Sequence, residues 1–321
     1  MHLMPLEQIK RTLPRIALAS AFACMLVLLP ACGGGGGGQA AAALPGGGTA
    51  SATGADFNPP ESILIPQIEG DAGGGTLIDT SGTSQGYVCA QAYSASRLKF
   101  QVKSGDQTYN YDLPNDGTPR AFPVNMGDGD YAFRIMQNTE GSNYVELDST
   151  YEYVSLESEF APFLIPNMFC DYTESSECVK QAAELTKNAT NQAEAVGIIC
   201  EYIAGSISYD KPKAEQLAQS TGYVPNPDET LSSRKGICFD YSSLAAAMLR
   251  SLGFPTKIVT GYVAPDDFYH AWIMVYVDGE WKTAQFEIDR NTWSRMDVTF
   301  ASSGASQYVG DGSAYTDKYV Y

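Results

Sequence analysis

The sequence predicts an α+β protein, and three observations lead to that class. Short apolar or alternating runs separated by turn-forming clusters fill residues 63–156, helical periodicity takes over near Asp171, and a cysteine stands at the start of an apolar helix. That helix is followed by two strand-like runs, the second opening on a histidine. A run of strands and then a mixture of helices and strands in one chain is the pattern of α+β architecture.

Residues 1–31 are expected to be an export signal that is removed. Lys10, Arg11 and Arg15 precede an apolar run from Ile16 to Leu29, shorter than the roughly twenty residues that span a bilayer as a stable helix. The run ends in "LLPAC" followed by six glycines, which resembles a bacterial lipobox. The resemblance implies cleavage before Cys32, lipidation of its thiol, and a protein exported and lipid-anchored to the outer face of a bacterial cell membrane. Two or three acyl chains anchor firmly where one is marginal. The plainer alternatives are an ordinary signal peptide with an incidental cysteine, or an uncleaved anchor.

Without residues 1–31 the chain loses Lys10, Arg11, Arg15 and Glu7, leaving 17 basic against 36 acidic residues and a formal net charge of −19. Such a surface repels phosphate backbones, so nucleic acid is not an expected partner. From Cys32 to about Pro60 the chain is Gly, Ala, Ser, Thr and Pro with almost no charge, a composition that buries too little to fold and reads as a flexible tether.

Residues 61–160 carry the runs "YVCAQAYS", "RLKFQVK", "YNYDL", "YAFRIMQ" and "YVELDSTYEYVSL". They are broken by "SGDQ", "PNDGTP", "MGDGD" and "TEGSN", which supply the Gly, Asp and Asn of tight turns. A small all-β, sandwich-like domain is expected. It holds no histidine, its acids are scattered without metal-loop spacing, and a spacer or binding role suffices for it.

Residues 161–321 form the second folded region. "SSECVKQAAELTKNA" and "TNQAEAVGIICEYIAGSI" read as helices, the latter with Val196, Ile199, Cys200 and Ile203 on one face. The stretch from Tyr209 to Lys235 has no clear period. In Tyr241–Leu252 apolar residues recur three or four apart, and Gly253 and Pro255 supply a stop.

Cys238 therefore lies at or just before the first turn of a helix, where free N–H groups and the helix dipole favour an anion. Thiolates so placed have pKa lowered from about 8.5 toward 3.5–7.5. A buried, inert cysteine is the plainer reading. Histidine shifts the balance: beyond the signal the chain has one, His270, at the start of "HAWIMVYV". A cysteine nucleophile needs a base and a polar group that orients the base, and His270 is the one imidazole able to serve. A strand-end histidine with a satisfied hydrogen bond is its plainer reading.

The blocks "GICFDYSSLAAAMLRSLGFPTKIVTGYV", "YHAWIMVYVDGEW" and "WSRMDVTF" resemble the three signature blocks of the transglutaminase-like superfamily, closely over Gly236–Ala301 and more loosely over Asp171–Lys235. The resemblance implies a papain-like fold, with a helix bearing Cys packed on an antiparallel sheet bearing His and Asp. It puts the nucleophile at Cys238, the base at His270 and the orienting acid at Asp297. A second alignment would place Gln285, or Asp289, in the third position. One oxyanion donor would be the backbone N–H of Cys238. Asp240 and Tyr241 match the pattern too, although a helix-start acid and a packed aromatic account for them, and Trp272 reads as core.

An exported chain meets oxidising conditions, where cysteines tend to pair. Cys89, Cys170, Cys178 and Cys200 allow three pairings, with Cys170 and Cys178 nearest in sequence. No pair has C-x-x-C spacing, so neither a metal nor another cofactor is expected.

These readings predict a surface-anchored cysteine enzyme acting on amide bonds of a protein or peptide, cell-wall peptide among the candidates, through a thioester intermediate. Water would complete hydrolysis and an amine would complete acyl transfer. The alternatives are a catalytically inactive binding lipoprotein of the same fold, and a cell-wall peptidase of another papain-related family.

Overall fold

The computed structural model describes residues 55–217, 222–263, 268–284 and 315–321. The expected signal, Cys32 and most of the tether lie outside the described residues, as do Asp297 and its alternatives Gln285 and Asp289.

The strand region builds two antiparallel sheets. Thr76–Asp79 (β1), Tyr87–Ala92 (β2) and Arg120–Pro123 (β5) form one, in the order β1-β2-β5. Leu98–Ser104 (β3), Gln107–Leu113 (β4), Gly129–Glu140 (β6) and Asn143–Val154 (β7) form the other, in the order β4-β3-β6-β7. Strand β3 buries Leu98, Phe100 and Val102 and turns Lys99 and Gln101 outward, the period-two pattern of a half-buried strand. Those three pack with Val88, Phe122, Phe133 and Ile135 in one core. Ser104 pairs with Gln107 across a two-residue turn whose first residue, Gly105, has φ +54°, the conformation glycine adopts without strain.

The second region begins with Glu177–Thr186 (α1) and Gln192–Ser206 (α2). Asn191 caps α2, its side chain accepting from the Glu194 N–H at 2.9 Å. Val196, Ile199, Cys200 and Ile203 are fully buried, as their period requires. Ser208–Tyr209 (β8) pairs in parallel with Lys235–Gly236 (β9), and between them lie Lys211–Leu217 (α3) and Pro227–Ser233 (α4). Both short helices fall where no hydrophobic period is visible. Their starts are nevertheless written in capping residues: Asp210 Oδ1 accepts from the Lys213 N–H at 3.0 Å and Asn226 Oδ1 from the Glu229 N–H at 3.0 Å, with Pro227 at the first helical position.

Cys238–Ser251 (α5) is the central helix. It packs on α1, α2 and α4 and also on Thr256–Val263 (β10) and Phe268–Val277 (β11). Because it is covered all round, even Ser242, Ser243 and Arg250 are buried. Gly253, at φ +87°, ends it and admits the turn into β10. Glu280–Ala284 (β12) and Tyr315–Val320 (β13) complete an antiparallel sheet in the order β12-β11-β10-β13. The β11–β12 hairpin turns on Asp278 and Gly279, both at positive φ, a strong hairpin signal in sequence.

Arg250 joins distant segments. Its guanidinium donates to Thr256 O at 2.9 and 2.7 Å, to Ile165 O at 2.7 Å and to Tyr321 O at 2.9 Å. Burial of a guanidinium is costly unless its donors are satisfied, and here three carbonyls accept from it. Phe169 and Tyr321 pack against both the strand-region core and the helical core.

Two expectations change. Residues 55–60, assigned to the tether by composition, are held: the Ala55 carbonyl accepts from Gln192 N–H at 2.9 Å, and Phe57 stacks on Phe254 at 5.5 Å. One large aromatic outweighs the Gly/Ala-rich character around it. Cys170 and Cys178 are not bridged; both are buried thiols, like Cys89 and Cys200. They fill the core as small hydrophobes, and burial pushes the Cys170 thiol up to about 12.

Candidate active site

The segment Gly236–Asp240 sets the position of the candidate nucleophile. Cys238 is the first residue of α5, after Ile237 in extended backbone. Asp240, two positions on, reaches back so that its Oδ2 accepts from the Ile237 N–H at 2.8 Å, half of a capping box. The same carboxylate takes the Lys213 ammonium at 2.8 Å and the Tyr223 hydroxyl, although its side chain has no exposure to water. Gly236 is required beside it, because a Cβ there would lie 2.6 Å from Asp240 Cβ. Asp240 is thus more than a helix-start acid: it ties α3 and the segment around Tyr223 to the turn that holds the cysteine.

Strand β11 brings the imidazole to the same place. His270 pairs with Gly261 of β10, and the next residue, Ala271, directs its N–H at the Cys238 sulfur. His270 is buried, with its ring 6.5 Å from the Trp272 ring and only 19° from parallel. Positions 270 and 272 share a strand face, so the tryptophan read as core also backs the imidazole.

Cys238 and His270 both line one cleft of about 670 Å³. Its walls include Tyr209, Tyr223, Phe239, Tyr269 and Tyr321, and also Lys99, Asn110, Tyr111 and Asp112 from the strand region. The strand region was expected to carry no chemistry, yet it supplies part of this wall. Of the three residues predicted for the site, two share the cleft and Asp297 lies outside the described residues. Sequence reasoning missed Tyr209, Tyr223, Lys213 and the β3–β4 wall; the parallel β8–β9 pairing and the sheet-to-helix packing that gather them leave no local pattern.

The electrostatics also differ from the expected depressed thiol pKa. Burial pushes the Cys238 thiol up to about 11, outweighing the opposing N–H groups of Ala271 and Phe239, and Asp240 adds to the rise. Burial lowers the His270 imidazolium to about 4. At neutral pH the pair is therefore a thiol and a neutral imidazole, the forms from which a general-base attack would start. The half-buried Tyr209 hydroxyl is raised to about 12, first by loss of solvent and then by Cys238 and Asp240. Among the described residues no three His, Cys, Asp or Glu side chains gather as a metal site.

Residues 179–298, which carry α5 and the strands β10 and β11 packed on it, match the model of the transglutaminase-like superfamily. Similar proteins include an uncharacterized protein of Mycobacterium leprae, 26% identical over 127 residues, which cover 36% of this chain and 41% of that one. Another, from Methanocaldococcus jannaschii, is 32% identical over 114 residues, covering 34% and 30%. The chain spans less than half the length of these curated relatives. Among solved structures, a Cytophaga hutchinsonii protein provisionally described as a cysteine protease overlaps 77% of this chain and 83% of its own, at 17% identity and a TM-score of 0.35.

Proposed function

We propose that the chain is a cysteine-dependent enzyme that breaks or transfers amide bonds of a peptide or protein. The observation that carries this is the shared cleft, where a helix-start thiol meets the strand bearing the single candidate imidazole. Cys238 Sγ attacks the substrate carbonyl carbon as His270 accepts the thiol proton, so thiolate forms only as the S–C bond does. Backbone N–H groups at the start of α5, that of Cys238 among them, face the developing oxyanion. His270 then returns the proton to the departing amine as the C–N bond breaks, leaving a thioester. Water attack on the thioester yields the acid, and amine attack yields a new amide. The role of orienting His270 is assigned to Asp297, as the sequence resemblance implies.

On this reading the enzyme works outside the cell, tethered through lipid on Cys32. Turnover of casein and of a glutamine peptide with an amine acceptor, followed for wild type, Cys238→Ala and His270→Ala, tests the chemistry. Activity that survives Cys238→Ala ends the proposal; no activity in wild type returns the chain to a binding lipoprotein. Radiolabelled palmitate incorporated into the wild type but not into Cys32→Ala tests the anchor.

A further inference from the structure

We propose that the β3–β4 edge of the strand region is a recognition subsite for a carboxylate of the substrate, with Lys99 as its anchor; this rests on reading the cleft as an amide-processing site. Among the described residues that line the cleft, Lys99 and Asp112 are the two that carry charge at neutral pH. Asp112 is already engaged. Its Oδ1 accepts from Lys99 Nζ at 2.9 Å and from Arg97 Nε and Nη2 at 3.0 and 2.8 Å. Its Oδ2 is covered by Gly222, where a Cβ would come within 2.6 Å of it. One carboxylate against two cations leaves the cluster at net +1, in a chain whose formal net charge is −17.

An ammonium has three donors, and Asp112 takes one direction from Lys99. The rest of the wall nearby is aromatic, with Tyr111, Phe169, Tyr223 and Tyr321, which lowers the local dielectric and strengthens a charge-assisted contact. A carboxylate fits that surplus charge, whether from an acidic side chain or from a free peptide C-terminus. A cationic group would meet Lys99 and Arg97 instead.

The test uses the full chain carrying Cys238→Ala and four labelled peptides. They share one glutamine-containing sequence and differ in an internal Glu or Gln and in a free or amidated C-terminus. Fluorescence anisotropy is expected to show about tenfold tighter binding for a carboxylate-bearing form, a preference lost in Lys99→Met, reversed in Lys99→Glu and kept in Lys103→Met, a change at an exposed lysine of the same strand. The form that carries the preference, internal or terminal, names the source of the carboxylate. Equal or undetectable binding of all four, or a preference that survives Lys99→Met in a protein with wild-type circular dichroism, overturns the subsite. Turnover of the same peptides by wild type is read separately. Preference without Cys238-dependent turnover removes the enzyme reading and keeps the subsite, whereas turnover without preference does the reverse.

Discussion

Replacing Asp240 by Asn changes one charge at the turn that carries Cys238 while keeping the side chain's shape. The carboxylate is fully buried, and it accepts from the Ile237 N–H, the Tyr223 hydroxyl and the Lys213 ammonium. Asn can still accept from Ile237, so the loss is concentrated on Lys213, left without its counter-charge. Removing one partner of a buried ion pair costs about 3–5 kcal/mol. Lys213 keeps 26% of its side-chain exposure and can partly rehydrate, which favours the lower end, about 3 kcal/mol. For a folded region of this size that corresponds to a Tm lower by about 6–12 °C, measured by circular dichroism at neutral pH. Adding Lys213→Met removes the stranded ammonium, so the double variant is expected to recover at least half of the loss. A single variant melting within about 2 °C of wild type, or two substitutions whose effects simply add, would refute the argument.

Arg250→Ala removes the guanidinium from the carbonyls of Ile165, Thr256 and Tyr321, the last of which keeps the Ile258 N–H; a loss of about 3–5 kcal/mol in chemical denaturation is expected, and a change below about 1 kcal/mol would contradict the clamp. Iodoacetamide alkylation of Cys238 should rise about tenfold per pH unit below about 11, the value to which burial lifts the thiol; a plateau already reached at pH 6–7 would mean a preformed thiolate. His270 protonates at about 4 when folded and near 6.5 when unfolded, so the unfolded chain binds more protons between those values. Its contribution is present above pH 6.5 and is lost as pH falls toward 4; His270→Leu should flatten that part of the Tm profile, and an unchanged slope would count against the buried neutral imidazole.

Much of this fold could be read from residues alone because its signals are local. The run "TKIVTGYV" is the strand β10 itself, residues 256–263, since a continuous apolar run beside a helix stop has few other uses. Cys238 sits at the first position of its helix because Gly236 and Asp240 write a capping pattern into the chain. What could not be read depends on distant contacts. The short helix after Asn226 lacks an apolar face of its own, so only its cap announced it. Lys99 and Asp112 looked like ordinary outward residues of a hairpin, and nothing in "RLKFQVK" or "YNYDL" says which surface that face meets. The thiol pKa went the same way: helix position argues for a lower value, but burial, a tertiary property, prevails.

The pairing of β10 with β13, and the hold of Arg250 on Tyr321, couple the cysteine helix to a distant part of the chain. Strand β10 gains its second neighbour, and the guanidinium at the end of the cysteine helix one of its acceptors, only when residues 315–321 pack. The helix that carries Cys238 at its start is thus fastened at its far end by a residue 71 positions downstream, so a change in β13 is felt across the whole helix–sheet interface.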